Sequence, residues 1–216
     1  MGRLTTLRWL YISVAGIFLA CCSGSSGGGA PAGGKLVFED DFNRSVLGDR
    51  WLDTGGGYRI AAGELRAQGA RNKPLWLKQK LPRNAKIEFV ARSLSDAIDI
   101  KVEVYGDGKS RADKLSYKAT SYVVILGGWN NSRSIIARMD EHGDDRKVRT
   151  DPKGEKGRKY HFTIVRKGNK LSWYLDSKLF LEMDDSAPLE GEGHDYFAIN
   201  DWESEVFFDD LKIYEL

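Results

Sequence analysis

Beyond residue 34, apolar and polar side chains alternate along much of the chain, which is the pattern of strands that bury one face. The clearest example is residues 98–105, where isoleucine and valine alternate with Asp99, Lys101, Glu103 and Tyr105. We therefore expect these four polar side chains to share one face of a single strand.

Strand signals of this kind recur at intervals of about ten residues, with turn-forming glycine, asparagine and aspartate between them. No segment shows the periodicity of a long helix. The predicted internal strands are residues 58–60, 64–67, 75–81, 86–93, 98–105, 116–126, 134–139, 147–150, 160–166, 171–175, 178–183 and 195–200.

Two further strands of matching build begin and end this region. Residues 35–43 and 206–216 each combine an apolar, aromatic-containing run with a cluster of acidic residues. We expect the two segments to pair, with Phe208, Leu211 and Ile213 in the core. The pattern predicts an all-β fold, an antiparallel two-sheet jelly-roll sandwich.

The first residues have the composition of a secretory leader. Residues 1–8 are short and basic, and residues 9–20 form an apolar run that fits the hydrophobic region of a signal peptide. The run ends in Ala20-Cys21-Cys22, which resembles the lipobox of bacterial lipoproteins, where the cysteine after small residues receives the lipid. Ala20 suits Cys21, whereas the preceding Leu-Ala pair suits Cys22, so both remain candidates for lipidation. The alternatives are an ordinary secretory signal and an uncleaved anchor.

The sequence therefore predicts a lipoprotein signal peptide at residues 1–21, a Gly/Ser-rich tether at 22–34 and a single β-sandwich domain at 35–216. Both cysteines of the chain precede the domain, so the domain has no disulfide or thiol chemistry. The expected location is the bacterial cell envelope, on the outer membrane, with the membrane contacted through the lipid alone.

The charge of the predicted domain is balanced. Of the 33 basic residues, Arg3 and Arg8 fall in the predicted leader, and the others equal the 31 acidic residues in number. A neutral domain gives no electrostatic reason to expect nucleic acid or an anionic membrane face as a partner.

The two end strands also carry a family resemblance. Residues 36–43, followed by Leu47 and Trp51, resemble the opening of concanavalin A-like lectin/glucanase domains, including laminarinase-type glycoside hydrolases and laminin-G-like modules. Residues 207–214 resemble the closing strand of the same domains. Because the two segments bracket the whole predicted domain, the resemblance implies one concanavalin A-like jelly roll.

The resemblance also implies a structural calcium ion. In many members an acidic residue of the opening strand and an aspartate of the closing strand hold Ca²⁺, and the matching positions here are Asp41 and Asp209. Carboxylates, backbone carbonyls and water supply the hard oxygen ligands that Ca²⁺ requires. The alternative is that these acidic residues are solvated charges that discourage edge pairing.

The hydrolases of this superfamily carry catalysis on one strand, as Glu-hydrophobic-Asp-hydrophobic-any-Glu. The nearest match is residues 97–102, which keeps Asp99 but has Ala97 and Val102 in place of the two glutamates. Glu103 is one position late and, on a regular strand, would lie roughly 13 Å from Asp99, whereas a retaining pair needs about 5 Å. The catalytic constellation of the superfamily is absent, which argues against glycosidase activity.

Aromatic residues are the strongest ligand-binding candidates, because indole rings stack on the apolar faces of sugars. Trp129 and Asn130 lie in a Gly-Gly-Trp-Asn-Asn turn, and Trp202 lies in a similar polar segment. The tryptophans in or beside strands are assigned to the core, namely Trp51, Trp76 and Trp173.

Residue 138 ends a predicted strand and begins a charged segment. Arg138 is followed by Asp140, Glu141 and His142, and a histidine beside carboxylates suits a general base. No nucleophile or second carboxylate is placed by sequence to complete a mechanism, so a solvated surface position is the alternative.

These observations predict an envelope-anchored, non-catalytic carbohydrate-binding lipoprotein whose partner is a polysaccharide or glycan. The predicted contacts are Asp99, Glu103, Tyr105, Trp129, Asn130, Arg138 and Trp202. Two alternatives remain open. One is a polysaccharide hydrolase or lyase that uses Asp99, Glu103, Arg138 or His142, and the other is a structural or protein-binding envelope lipoprotein.

Overall fold

The computed structural model describes residues 1–2, 29–113 and 117–216. Both candidate lipidated cysteines, Cys21 and Cys22, lie outside the described residues, as does most of the predicted leader and tether. In the part of the chain that is described, no helix has the length and apolar character needed to cross a membrane.

The regular secondary structure of the described residues is β-strand, apart from one short helical segment, α1 (Gly128–Asn131). The strands in chain order are β1 (Lys35–Asp40), β2 (Trp51–Asp53), β3 (Arg59–Ala61), β4 (Glu64–Gln68), β5 (Leu75–Leu77), β6 (Ala85–Ser93), β7 (Ile100–Gly106), β8 (Tyr122–Gly127), β9 (Arg133–Arg138), β10 (Lys147–Arg149), β11 (Tyr160–Lys167), β12 (Lys170–Leu175), β13 (Lys178–Asp184), β14 (Tyr196–Asn200) and β15 (Glu205–Glu215).

Two antiparallel sheets pack face to face. Sheet A has the order β13-β12-β11-β6-β15-β4-β3, with β1 also paired to β15, and sheet B has the order β10-β9-β8-β7-β14-β5-β2. The predicted all-β two-sheet sandwich is confirmed.

Alternation along β7 produces the two layers of side chains on sheet B. Val102 and Val104 enter the core cluster, which also contains Phe89 and Phe162 of sheet A. The intervening residues project to the outer face of sheet B, where a second, smaller apolar cluster forms from Ala119, Val123, Ile125, Ile135 and Ala137. Sheet B is therefore covered on both faces over part of its area.

The two end strands pair as the sequence predicts, with Asp40 opposite Leu211. Phe208, Leu211 and Ile213 are all buried in the core. Asp40 is buried at the end of β1, where the indole of Trp51 donates to it at 2.9 Å and Arg44 forms an ion pair with it. These donors outweigh burial, which on its own would raise the pKa of Asp40, so that its pKa is lowered.

One detail of the predicted strand at residues 98–105 is wrong. The strand begins at Ile100, because Ile98 and Asp99 adopt left-handed backbone conformations with φ of 60° and 47°. Near its other end Tyr105 has φ of 62° and is skipped in the pairing with β14, which makes it a bulge. The bulge turns Tyr105 into the core, so it does not share a face with Lys101 and Glu103.

Candidate functional site

A groove of about 820 Å³ lies on the outer face of sheet B. Its lining includes Asp99, Lys101, Trp129, Glu141, His142 and Trp202. The same face is closed farther along, where the carbonyl of Ser110 accepts the Trp76 indole N–H at 2.9 Å and Trp76 is fully buried. The groove is thus the part of this face that the 107–113 segment leaves open.

A buried ammonium group forms the floor of the groove. Lys101 Nζ lies 2.8 Å from Glu141 Oε2 and donates to Asn72 Oδ1 at 2.9 Å. Burial alone would lower the pKa of Lys101, but the carboxylates of Asp99 and Glu141 raise it above its usual value. Lys101 therefore stays charged in the folded protein.

Asp99 joins the floor to the Trp202 segment. Its Oδ2 accepts the backbone N–H of Trp202 at 2.8 Å, which fixes the position of the indole-bearing segment. Burial raises the pKa of Asp99, although the Lys101 ammonium opposes the shift.

Glu103 lies beneath the floor and is fully buried. Its Oε2 accepts hydrogen bonds from Ser121 at 2.6 Å and from Tyr117 at 3.2 Å, and its Oε1 accepts one from Asn200 at 2.8 Å. Burial raises the pKa of Glu103 to about 6 despite these donors. Both carboxylate oxygens are used within the protein, so Glu103 supports the floor from below and does not line the groove.

Asp201 is a further buried carboxyl group next to the groove that the sequence did not single out. The backbone N–H groups of Ala70 and Ser204 donate to it at 3.1 and 2.9 Å. Burial, reinforced by the nearby Asp99 charge, raises the pKa of Asp201 to about 7. Its place next to Trp202 in the sequence was the only signal that could have marked it.

The two predicted tryptophans both line the groove and are half-buried, but their surroundings differ. Trp129 meets the ring of His142 edge-on at 5.5 Å between centroids, and the Arg133 guanidinium lies over it at 5.4 Å. By contrast, no aromatic ring of the described residues packs against Trp202. Among the described residues, no aromatic ring or guanidinium group therefore covers the Trp202 indole, and Asn130 lies exposed beside Trp129 at the rim.

Two left-handed segments position these residues. The first is Ile98 and Asp99, and the second is the run 129–131, whose φ values are 51°, 54° and 58°. The Asp99 backbone N–H donates to the Gly127 carbonyl at 3.3 Å, which ties the segments together. Left-handed backbone is costly for residues with side chains, above all for a β-branched isoleucine, and such strain is concentrated at functional sites.

Packing at Gly127 explains why a glycine precedes the turn. Gly127 has φ of 68°, and a β-carbon there would lie 2.7 Å from the β-carbon of Ile98. The turn is held from its other side by Asn131, whose side-chain amide exchanges two hydrogen bonds, at 2.8 and 2.9 Å, with the backbone of Gly154.

Two further predicted ligand contacts, Arg138 and Tyr105, lie outside the groove lining, as Glu103 does. Arg138 pairs with Tyr122 at the end of β9, and its side chain binds Asp185 at 3.0 Å and the Ala187 carbonyl at 3.1 Å. Tyr105 is in the core through its bulge, and its hydroxyl donates to the Pro82 carbonyl at 3.1 Å.

The predicted calcium ligands are engaged separately. Asp41 is exposed and accepts the Asn43 backbone N–H, while Asp209 accepts the backbone N–H of Asp210. Across residues 29–113 and 117–216, no three acidic or histidine side chains form a group that could hold a metal ion. The side chains described at this position do not by themselves build a metal site.

No protein-family model matches the chain, and no curated protein matches it. Solved structures do match. The carbohydrate-binding module CBM66 from Bacillus subtilis aligns with a TM-score of 0.57 at 13% identity, covering 77% of this chain and 96% of that one. A laminarinase from Flavobacterium sp. UMI-01 aligns at 0.57 and 12%, covering 84% and 100%.

The exoplasmic/lumenal domain of VIP36, in a Ca²⁺/Man3GlcNAc-bound form, aligns with a TM-score of 0.58 at 11% identity, covering 77% of this chain and 84% of that one. At such low identities these matches establish the fold. The chain is a concanavalin A-like jelly roll, as the resemblance of its end strands implied.

Proposed function

We propose that the chain binds a neutral glycan in the groove, with Trp202 as the main aromatic contact. The observation that carries the proposal is a half-buried indole that lines the groove beside a buried, charged floor. An indole packs against the C–H face of a pyranose, while ionised groups form the strongest hydrogen bonds with hydroxyls.

The charge of the groove selects among glycans. Four carboxylates line it, Asp99, Asp140, Glu141 and Glu203, against the ammonium groups of Lys101 and Lys118. An acidic site repels a ligand of the same sign, so uronate-rich and sulfated polysaccharides are disfavoured. The matches to a carbohydrate-binding module, a glycan-bound lectin domain and a laminarinase support a glycan as the ligand class.

Affinity electrophoresis through gels that contain neutral or acidic polysaccharides tests this proposal. We expect neutral glucans to retard the wild type strongly and Trp202→Ala only weakly, whereas polyuronates should have the same effect on both proteins. Tyr174→Ala is the matched control, because Tyr174 is a half-buried aromatic residue on β12 of the other sheet. Equal retardation of wild type and Trp202→Ala would contradict the proposed contact.

A second candidate function is cleavage of the bound glycan. It is favoured by His142, whose Nε2 lies 3.7 Å from Glu141 Oε1 at the groove, and by the raised pKa of the neighbouring Asp99, which burial causes. Release of reducing ends or unsaturated sugars that is lost in Glu141→Gln and His142→Ala would establish it. Binding without product release would leave the groove as a binding site alone.

Anchoring of the chain to the envelope through a lipid on Cys21 or Cys22 is a further part of the proposal. It rests on the basic and apolar leader and on the resemblance to a lipobox. Expression in a bacterial host and detergent phase partitioning test it. The wild type is expected in the detergent phase and the Cys21→Ala/Cys22→Ala double variant in the aqueous phase.

Calcium at Asp41 and Asp209 is kept as a separate proposal, supported by the resemblance of the end strands and by the Ca²⁺-bound VIP36 domain. An ion that binds only the folded state stabilises it by RT ln(1 + [L]/Kd), so the stabilisation grows with the logarithm of the ion concentration above Kd. Ca²⁺ should therefore raise the melting temperature of the wild type but not of Asp209→Asn, with Asp210→Asn as the control. If neither Ca²⁺ nor a chelator changed the melting temperature of the wild type, the proposed calcium site would be contradicted.

A further inference from the structure

A second cavity, here termed the cleft, has a volume of about 470 Å³ and lies beside the ends of β7 and β11. Its lining includes Arg83, Tyr105, Arg166, Glu190 and His194. It shares no lining residue with the groove, and unlike the groove it contains two guanidinium groups.

Arg166 is held rigidly in the cleft wall, with 2% of its side chain exposed. Its Nε donates to the Gly168 carbonyl at 3.1 Å, and its Nη1 donates to the Leu189 carbonyl at 2.6 Å. The guanidinium carbon lies 4.2 Å from the centre of the Tyr105 ring. These contacts fix the orientation of the guanidinium plane.

One nitrogen of this group is left without an acceptor. Nη2 of Arg166 is buried and has no hydrogen-bond partner within the described residues. The carboxylate of Glu190 is 3.6 Å away, which is too far for a hydrogen bond. An unsatisfied buried N–H on a charged group is costly and needs an explanation in a folded protein.

Glu190 is already engaged by the other guanidinium of the cleft. Its Oε2 lies 2.8 Å from Nη2 of Arg83, and its side chain is 41% exposed. Two arginines therefore share one carboxylate from an exposed residue, and the more deeply buried arginine is the less well satisfied. A planar carboxylate at hydrogen-bond distance from Arg166 would accept a bond from Nη2, because the fork of a guanidinium matches carboxylate geometry.

The wall of the cleft also offers an acceptor. Nδ1 of His194 lies 2.7 Å from the Thr120 carbonyl oxygen. A carbonyl can only accept, so in the neutral ring Nδ1 carries the proton and Nε2 is an acceptor for a ligand hydroxyl.

We propose that the cleft binds a small hydroxy acid, such as a free uronic acid, whose carboxylate displaces that of Glu190 between Arg83 and Arg166. The inference is independent of the glycan-binding proposal, because the two cavities share no lining residue and only the cleft is lined by guanidinium groups.

Isothermal titration calorimetry with glucuronate, in a buffer free of carboxylates, tests the cleft. Glucose at the same concentration is the uncharged control and is expected to give no binding at this site. Glu190→Gln removes the competing charge and should tighten glucuronate binding about fivefold, whereas Arg83→Gln should weaken it about tenfold. Both substitutions are at exposed side chains, so we expect both variants to fold. The test therefore needs no substitution of the buried Arg166.

Trp202→Ala serves as the groove control and should leave glucuronate binding unchanged. Absence of glucuronate binding by both the wild type and Glu190→Gln would overturn the proposal. So would an affinity that is the same in the wild type and Arg83→Gln, or one that falls in Trp202→Ala.

Discussion

The groove and the cleft both bury charged side chains, but they satisfy them differently. In the groove, Lys101 has two partners within 3 Å, and Glu103 beneath it accepts three hydrogen bonds. In the cleft, Arg166 has a nitrogen with no acceptor among the described residues and a carboxylate just out of reach. The groove is thus preorganised for its ligand, whereas the cleft must exchange its own carboxylate for the ligand's.

The backbone around each cavity supports this difference. The groove is bordered by left-handed residues that carry side chains, including Ile98 and Trp129, and surrounding packing must hold them in place. The segment that carries Glu190 instead turns at Gly191 and Gly193, with φ of 83° and 90°, which glycine adopts without strain. The first arrangement favours a fixed surface, and the second allows a loop to move.

The largest expected effect comes from placing a side chain at a glycine beside each cavity. Gly127→Ala should lower the free energy of unfolding by about 3 kcal/mol, because it adds the cost of left-handed backbone to a clash with Ile98. Gly191→Ala is the matched change, since no atom lies within 4 Å of a β-carbon there, and it should cost about 1 kcal/mol. Denaturant unfolding measures both, and equal losses would show that the groove is no more constrained than the cleft.

The second effect concerns the buried carboxyl group below the groove. Because burial raises the pKa of Glu103 to about 6, the folded protein binds this proton more tightly than the unfolded chain does. The stabilisation is therefore complete below the unfolded pKa of about 4.5 and is lost as the pH rises through 6, a loss of about 2 kcal/mol.

Unfolding measured across this pH range tests the assignment. Glu103→Gln should lose this component of the pH dependence, whereas Glu190→Gln in the cleft should keep it. A wild type whose stability is constant between pH 4.5 and 6 would contradict it.

The third effect separates the two tryptophans of the groove. Trp202→Ala should weaken glycan binding about tenfold, because no ring or guanidinium group of the described residues packs on its indole, whereas His142 and Arg133 pack on Trp129. Trp129→Ala should weaken it less and should destabilise the fold more, because Trp129 packs against the outer apolar cluster and beneath Arg133. A larger binding loss in Trp129→Ala would reverse the order of the two contacts.

Much of the fold could be predicted because strand alternation is local information. The pattern located nearly every strand and the pairing of β1 with β15, but it missed the short strand at Trp51–Asp53. It also could not show the bulge at Tyr105, because nothing local distinguishes a tyrosine that leaves the pleat from one that stays in it.

The candidate site was predictable only in part, for a different reason. Trp129 was identified because its Gly-Gly-Trp-Asn-Asn turn is local, whereas the pairing of Lys101 with Glu141 joins residues that lie far apart in sequence. The cleft gave no sequence signal at all, since Arg166 lies in an ordinary alternating strand and meets Glu190 only through the packing of a loop.

The smallest expected effect most directly tests whether a ligand can displace Glu190 from the two arginines of the cleft. Glu190→Gln should change the free energy of unfolding by less than about 0.5 kcal/mol, because its direct ion pair with Arg83 joins two exposed side chains and is screened by solvent. Glu141→Gln, which removes a partner of buried Lys101, is the groove counterpart and should cost more. If removing the Glu190 carboxylate costs little free energy, an incoming carboxylate can displace it at little cost in free energy. If Glu190→Gln destabilised the protein as much as Glu141→Gln, Glu190 would be a structural partner of the arginines, and exchange with a ligand would be unfavourable.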